Sequence, residues 1–515
     1  MAEPSAGVAE VTSRQVALAS GAQLGAKGAH LLLNVASTLI VVRYLPEADF
    51  GEYVVVLSTV MLAGLVGEFG LPALAVREIV RRPDQRDEIL GTVVGLRLAF
   101  TVVACGLIQL VLVAIGSSPT AHVAALIASV SLIFDAFFTV IVVTHAEMRQ
   151  HLEAFLRLGM EIVEITVLVG LVAAGATLPM LFLAPVVGAC AGACGAYAVA
   201  HRTFGLAPRV SRPHTWPLLR EAAVIGPTVI IGVAYLKSDG LILAARRSNV
   251  EVAHYGAAAQ PIEYLFLSSA VVVGVVFPLL ARAFGAGDEL RFQTTYRAGT
   301  ELLFTGCLLV PLAVALSGPA MLDVAYAGKY DDAAVPFLVL SVAFVLMVSN
   351  AWRSFVLLAA GQQVATLRYD LVACVVALVA GFALVGPYGA SGAAAATLCV
   401  AVAVMSLMAI RRRVAASLRP APLVTVAAVA VAAGGVGWST SMLGAGPFLQ
   451  TAVAIGIYCL VVGLVARPSI SDLVGGEERE PTDRSGSSSP TALAGLDAAS
   501  DPPVAAIAGG SGGDR

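Results

Sequence analysis

Residues 43–82 read RYLPEADFGEYVVVLSTVMLAGLVGEFGLPALAVREIVRR, and their pattern decides the fold class. One apolar run ends at Arg43, a turn with Pro46 follows, and a second apolar run then leads to a basic cluster. Its apolar residues are continuous, whereas the strands of a membrane barrel alternate over about ten residues. Because about 20 apolar residues of helix cross the hydrocarbon core of a bilayer, the stretch predicts a membrane-spanning helix.

The composition extends this prediction to the whole chain. The 515 residues are 58% hydrophobic and 13% charged, with a mean hydropathy of +0.88. Soluble domains carry about 25% charged residues, so no soluble fold could hide this much apolar surface. The net charge of −3 and the lack of a clustered basic surface exclude a nucleic-acid partner.

Apolar runs of spanning length predict an all-α membrane protein with about fourteen transmembrane helices. They lie near residues 17–43, 50–72, 89–115, 121–144, 155–175, 178–200, 221–245, 255–281, 296–317, 334–360, 366–386, 389–410, 421–442 and 447–466.

The basic residues of the loops predict the orientation, because positive charge accumulates in cytoplasmic loops. With the N-terminus inside, the inside loops hold 18 arginines and the outside loops hold four basic residues, Arg43, Arg246, Arg247 and Lys329. We therefore expect a multi-pass protein of the inner, or plasma, membrane with both termini in the cytoplasm.

The two halves of the chain echo each other, which predicts two similar lobes. RYLPEADFGEYVVV (43–56) compares with ARRSNVEVAHYGAAA (245–259), and in each a helix ends at a basic residue before Tyr53 or Tyr255 opens the next helix. An even number of helices between the repeats gives the lobes the same orientation. The predicted divisions are a cytoplasmic segment (1–16), an N-lobe of six helices (17–200), a linker (201–220), a C-lobe of six helices (221–415), two further helices (416–468) and a disordered cytoplasmic tail (469–515).

These motifs resemble those of the oligosaccharide flippases, a family of the MOP superfamily of multidrug, oligosaccharidyl-lipid and polysaccharide exporters. The resemblance rests on residues 43–53, on GEFGLPALAVREIVRR (67–82), on KSDGLILAARRSNVEVAHYGAAAQPIEYLF (237–266) and on VGPYGASGAAAATL (385–398). It implies a MATE-like bundle of two lobes related by a pseudo-two-fold axis around a V-shaped cavity. It also implies movement of undecaprenyl-pyrophosphate-linked oligosaccharide repeat units to the outer leaflet, by alternating access, for polysaccharide biosynthesis.

Such a cargo carries an anionic pyrophosphate through hydrocarbon, so we looked for cations within helices, where a charge indicates function. Lys27, Lys237 and Arg353 are the candidate substrate-binding residues, and we expect them to meet in a hydrated central chamber. For Lys237 and Arg353 the alternative is an ion pair inside the bundle, for which the candidates are Asp239, Glu263 and Asp135. For Lys27 the alternative is that its side chain extends to the inner interface. Arg97 lies nearer a helix end and is expected to extend its charge to the interface.

Two carboxylates are candidates for coupling transport to H⁺ or Na⁺. Asp239 and Glu263 lie on the seventh and eighth predicted helices, which line the cavity in the resembled family. The carboxylates near predicted helix starts are expected to be solvated and without a transport role: Glu161, Glu301 and Asp370. No cofactor or metal ligand set is predicted, since Cys190 and Cys194 have no accompanying histidine or second cysteine pair.

Three prolines interrupt the seventh and eighth predicted helices, namely Pro227, Pro261 and Pro278. Proline removes a backbone hydrogen bond and permits bending, so we expect hinges there, with static kinks as the alternative.

Other functions remain open at this stage. They are a MATE-like drug or cation antiporter, a polysaccharide polymerase or ligase, and a flippase for lipid II. No GxxxxGK[ST] motif occurs, and no extramembrane domain large enough for catalysis is predicted, so a transporter is favoured over an enzyme. The expected partners are the lipid-linked oligosaccharide, membrane lipids and polysaccharide-assembly proteins.

Overall fold

The computed structural model describes residues 13–147, 149–359, 363–410 and 420–465. The predicted cytoplasmic tail and most of the predicted N-terminal segment lie outside these residues. All regular structure in the described part is helical. The helices are α1 (Ser13–Tyr44), α2 (Glu47–Glu68), α3 (Leu71–Arg81), α4 (Arg86–Ala114), α5 (Pro119–Phe138), α6 (Val143–Ala146), α7 (His151–Ala173), α8 (Leu178–Leu181), α9 (Leu183–Phe204), α10 (Arg212–Arg246), α11 (Asn249–Gly285), α12 (Glu289–Tyr326), α13 (Ala334–Ala359), α14 (Gln363–Ile410), α15 (Pro420–Ser439) and α16 (Pro447–Val465).

The predicted all-helical membrane fold is confirmed, since every predicted span falls on helical segments within the part of the chain that the structure describes. Within the described residues, eight helical segments are long and apolar enough to cross a bilayer, and a bent α10 makes nine. The count of fourteen stays a prediction.

Helix α14 shows why the number of helices can be smaller than the number of times the chain crosses the bilayer. Its 48 residues would extend about 72 Å at 1.5 Å per residue, more than twice the 30 Å of hydrocarbon. Gly389 interrupts it with a positive φ of 56°, a backbone conformation that favours glycine. The break lies where the sequence predicted two separate spans, 366–386 and 389–410.

Large apolar side chains cover the outside of the bundle. Val102 and Val113 of α4 are 73% and 66% exposed, and Val379 of α14 is 66% exposed. In water such a surface would drive aggregation, whereas in a bilayer it faces lipid tails.

Small residues allow close helix contact inside. Gly188 and Gly192 of α9 pack against α7, and a Cβ on Gly188 would lie 3.1 Å from the Cβ of Glu164. The spacing of these two glycines, which brings small residues to one helix face, predicts such an interface.

The packing of the helices forms two bundles that touch through α2. In the first bundle α2, α4, α5, α9, α7 and α1 contact one another in that order, and the second bundle contains α10 to α14. Helix α2 packs on α10 and α11 of the second bundle, and α15 and α16 pack on α12.

The two bundles are in contact at the end where α1 meets α2 and α10 meets α11, which we call the corner end. Here the two repeat-related corners pack together. They are so close that a Cβ on Gly51 would overlap the carbonyl oxygen of Asn249. Arg43 donates to the carbonyl oxygens of Val324 and Ala325, both at 2.8 Å.

The bundles also touch at the opposite end, which we call the α3 end. Arg77 of α3 forms an ion pair with Glu221 of α10. The ring of Phe69 lies against Gly226, where a Cβ would come within 2.6 Å of it. The two bundles are therefore joined at both ends.

One of the predicted hinge helices is bent. Helix α10 turns by 54° between Arg212–Gly232 and Ala234–Arg246. Pro227 lies before this bend in the chain. A proline ring disturbs the helical turn that precedes it, so Pro227 does not account for a bend that follows it. The helical span of α11 includes Pro261, and the side chain of Pro278 lies outside the described residues. The hinges stay a prediction.

Candidate functional site

Lys237 of α10 forms an ion pair with Glu263 of α11. Its Nζ lies 2.7 Å from Oε1 and 2.6 Å from Oε2, and the two side chains are 14% and 41% exposed. The corner after Arg246 makes α10 and α11 run alongside each other, which brings together two residues 26 positions apart in sequence. For Lys237 the structure therefore shows the alternative from the sequence, an ion pair with a carboxylate inside the bundle.

Asp239 faces a different set of neighbours from Lys237. Only 8% of it is exposed, and its carboxylate accepts hydrogen bonds from Tyr255 of α11, Thr397 of α14 and the backbone N–H of Gly240. Three donors around one buried carboxylate hold it rigidly and stabilise its charge.

A small cavity of about 70 Å³ adjoins Asp239, bounded by α10, α11, α13 and α14. Thr397, Asn350, Ser354 and Asp370 also line it, so Asp370 is a cavity residue instead of a solvated one. At about 30 Å³ per molecule, its size matches one or two waters or a small cation. Asp239 adjoins this cavity, whereas Glu263 is bound to Lys237.

Arg353 of α13 has different neighbours from Lys237 and Glu263. It is close to the hydroxyl of Tyr296 on α12, and no carboxylate among the described side chains forms an ion pair with it. Its neighbour Trp352 stacks on Tyr296 and donates to Thr300 at 2.9 Å. The side chain of Lys27 lies outside the described residues, so the predicted meeting of the three cations stays a prediction.

Sequence reasoning missed a polar column on α1. His30, Asn34 and Thr38 recur at a spacing of four residues, which places them on one helix face. His30 lies 3.3 Å from Glu161 of α7, and Thr38 is hydrogen-bonded to Tyr264 of α11.

The column connects the two bundles through polar contacts, because α7 and α11 belong to different bundles. The sequence signal for this column is the four-residue spacing of polar, uncharged or weakly basic side chains in an otherwise apolar helix. Glu161, predicted to be solvated at a helix start, lies instead in the middle of α7 beside this column.

The prediction for Arg97 was wrong. Its guanidinium is buried, at 7% exposure, and donates to Glu68 at 3.3 Å, to the backbone oxygen of Asp135 at 3.2 Å and to Thr139. The distance to a helix end suggested that the charge would reach the interface, but acceptors on neighbouring helices bind its two terminal nitrogens where it lies.

Arg97 also lines a larger cavity, which we call the pouch, between α2, α4 and α5. The pouch has a volume of about 280 Å³. Its polar lining consists of Arg97, Glu68, Asp135, Thr101 and Ser131. Leu57, Val60, Met61, Leu65 and Leu132 form its apolar walls.

The remaining predicted positions are structural. Glu301 forms an ion pair with Arg297 one turn away on α12, at 2.9 Å. Among the described residues, no three histidine, cysteine or acidic side chains are placed to hold a metal ion. Cys190 is partly exposed and Cys194 is exposed on α9, and neither forms a disulfide.

Comparison with known proteins identifies the family. A family described as polysaccharide biosynthesis protein matches residues 14–284, which is more than half of the chain. The chain matches no curated protein sequence.

Solved structures share the fold at low identity. The lipid II flippase MurJ, in an inward closed conformation, superimposes with a TM-score of 0.72 at 13% identity, over 86% of this chain and 98% of that one. The eukaryotic MATE transporter AtDTX14 gives 0.58 at 14% identity, over 79% and 98%. A MOP-superfamily transporter from Pyrococcus furiosus, whose binding pocket is described as reversed in polarity, gives 0.55 at 13% identity, over 77% and 95%. The chain therefore belongs to the polysaccharide biosynthesis protein family, and it is a multi-pass membrane protein that shares the fold of these transporters.

Proposed function

We propose that the protein is a flippase that moves undecaprenyl-pyrophosphate-linked oligosaccharide repeat units from the cytoplasmic to the outer leaflet of the plasma membrane. The observation that carries the proposal is the polar interior between the two bundles. The α1 column and the Lys237–Glu263 pair lie inside a helical bundle whose outer surface is apolar. Polar groups inside a membrane bundle are expensive to bury, so they indicate a path for a polar cargo.

The cargo has an apolar tail, an anionic pyrophosphate and a hydroxyl-rich glycan. The tail stays in the bilayer, while the other two parts need a polar path across about 30 Å of hydrocarbon. Lys237 supplies a cation to the pyrophosphate when it exchanges Glu263 for phosphate oxygens. Arg353 and Lys27 are further candidate cations. The α1 column supplies hydrogen-bonding groups to the glycan.

Alternating access would follow from the packing at the two ends of the bundles. Opening the contact of Phe69 with Gly226 admits cargo at the α3 end, and opening that of Gly51 with Asn249 releases it at the corner end. The arginine-rich loops assign the α3 end, with Arg77, to the cytoplasm. Both termini are then cytoplasmic, where polysaccharide-assembly proteins could deliver the cargo.

The direct test is flipping in vesicles. The purified protein is reconstituted with a pyrophosphate lipid that carries a fluorescent oligosaccharide, and an impermeant reagent reports the fraction exposed outside. We expect exposure to rise at least tenfold faster than in protein-free vesicles. Equal rates would refute a flippase. Exchange of an organic cation would then favour the antiporter, lengthening of the glycan the polymerase, and faster movement of lipid II the lipid II flippase.

We also propose that Asp239 couples transport to H⁺ or Na⁺. The carboxylate adjoins a cavity that fits such an ion, and a charge buried this deeply in a bundle is stabilised by binding a cation or a proton. Glu263 is the second candidate and has Lys237 as its partner instead.

The variant Asp239→Asn tests this coupling, because the amide keeps the size of the side chain but not its charge. We expect an ion gradient to accelerate flipping by wild type at least fivefold and to leave the variant at its gradient-free rate. Glu301→Gln, whose carboxylate pairs with Arg297 on α12 and does not line this cavity, is the control and should retain more than half of the acceleration. Wild-type flipping that ignores both H⁺ and Na⁺ gradients would contradict coupling.

A further inference from the structure

The pouch contains a buried donor that the protein leaves unused. Arg97 donates through its two terminal nitrogens, but its Nε has no hydrogen-bond partner among the described residues. Leaving a buried donor unpaired costs about 1–3 kcal/mol, more for a charged group. This nitrogen is closed to a molecule the size of water, so a ligand in the pouch would accept from Nη2, which donates one N–H to Glu68 and carries a second.

The lining of the pouch defines the kind of ligand. Glu68 and Asp135 provide two carboxylates against the single guanidinium of Arg97, so the described lining has a net charge of −1 and disfavours an anion. Carboxylates accept hydrogen bonds from hydroxyl groups, and the second N–H of the Arg97 Nη2 can donate one to an oxygen. The apolar walls fit the C–H face of a ring. This combination suits an uncharged, hydroxyl-rich molecule.

The size of the pouch agrees with a single sugar ring. Its 280 Å³ corresponds to roughly nine water molecules of liquid, which is the scale of one hexose.

One wall of the pouch belongs to the helix between the two bundles. Helix α2 lines the pouch and also packs on α10 and α11 of the second bundle. A ligand in the pouch therefore contacts a helix that also bounds the interior between the bundles.

We propose that the pouch is a subsite for one uncharged sugar ring of the cargo, whose hydroxyls donate to Asp135 and Glu68 and accept from Arg97. The inference rests on the proposed flippase function and adds a sugar preference to it. A ring that carries a carboxylate, such as a hexuronate, is excluded by the two acids of the pouch.

The test compares three lipids in vesicles, namely undecaprenyl pyrophosphate bare, with one neutral hexose, and with one hexuronate. Wild type is expected to flip the hexose lipid at least fivefold faster than either of the others. Met61 is 46% exposed and lines the pouch, so Met61→Trp should narrow it and bring the three rates within twofold of one another. Val102→Trp adds the same bulk on the lipid-facing surface of α4 and should keep the wild-type ratios.

The outcomes separate the two proposals. If wild type flips none of the three lipids, the flippase function fails. If wild type flips them at equal rates, or if Met61→Trp keeps the fivefold preference, the subsite fails and the function stands. If Val102→Trp loses the preference as Met61→Trp does, the effect is one of general packing and the subsite is likewise refuted.

Discussion

Replacing Lys237 with methionine is expected to lower flipping of the lipid-linked oligosaccharide at least tenfold. Methionine has a similar length but no charge, so the variant loses the cation and leaves Glu263 as an unpaired carboxylate. A hydrogen bond to a charged group contributes about 1.5–3 kcal/mol, and each 1.4 kcal/mol corresponds to a factor of ten. Flipping in vesicles at matched protein density measures the effect.

A second variant separates two roles for Lys237. In Lys237→Met with Glu263→Gln, both charges are absent and no unpaired carboxylate remains. If Lys237 only neutralises Glu263, this double variant recovers wild-type flipping. If Lys237 contacts the pyrophosphate, as we propose, flipping stays at least tenfold low. Single-variant flipping above half of the wild-type rate would contradict any transport role.

Replacing Gly51 with alanine is expected to prevent the corner end from closing and to reduce flipping at least tenfold. The added Cβ would overlap the carbonyl oxygen of Asn249, and a backbone atom cannot move aside as a side chain can. Alanine stabilises a helix relative to glycine by about 1 kcal/mol. A loss of activity would therefore arise from the contact between the bundles and not from a weaker α2.

Gly106→Ala on α4 is the control. Its Cβ would meet no atom within 4 Å, so flipping should remain near the wild-type rate. Labelling gives a second readout, with Thr38→Cys as the reporter in the polar column. An impermeant maleimide applied from the corner end should modify this cysteine at least fivefold faster in the Gly51→Ala background. Equal activity and labelling of the two alanine variants would show that the corner contact does not control access.

The fold could be predicted from the sequence because the bilayer imposes a simple rule. Continuous apolar runs must be helices that satisfy their own backbone groups, and the break at Gly389 appears in the sequence as closely spaced glycines around Pro387. These signals are local, so they do not depend on which helices become neighbours.

The site was only partly predictable because its contacts join residues far apart in sequence. Lys237 and Asp239 were found as intramembrane charges, yet only the packing of α10 shows that one faces Glu263 and the other faces Tyr255 and Thr397. Arg97 was misassigned for the same reason, since its partners come from α2 and α5.

The packing of the two bundles at both ends has a consequence for the cell. A transporter open to both sides at once would act as an open channel. Protons would then leak down their gradient through its polar interior. The contacts at Gly51 and at Phe69 are both present in this structure, so the proposed opening of one end does not require opening of the other. For the flippase that we propose, the membrane would then keep its voltage and its stored energy while bulky sugars cross it.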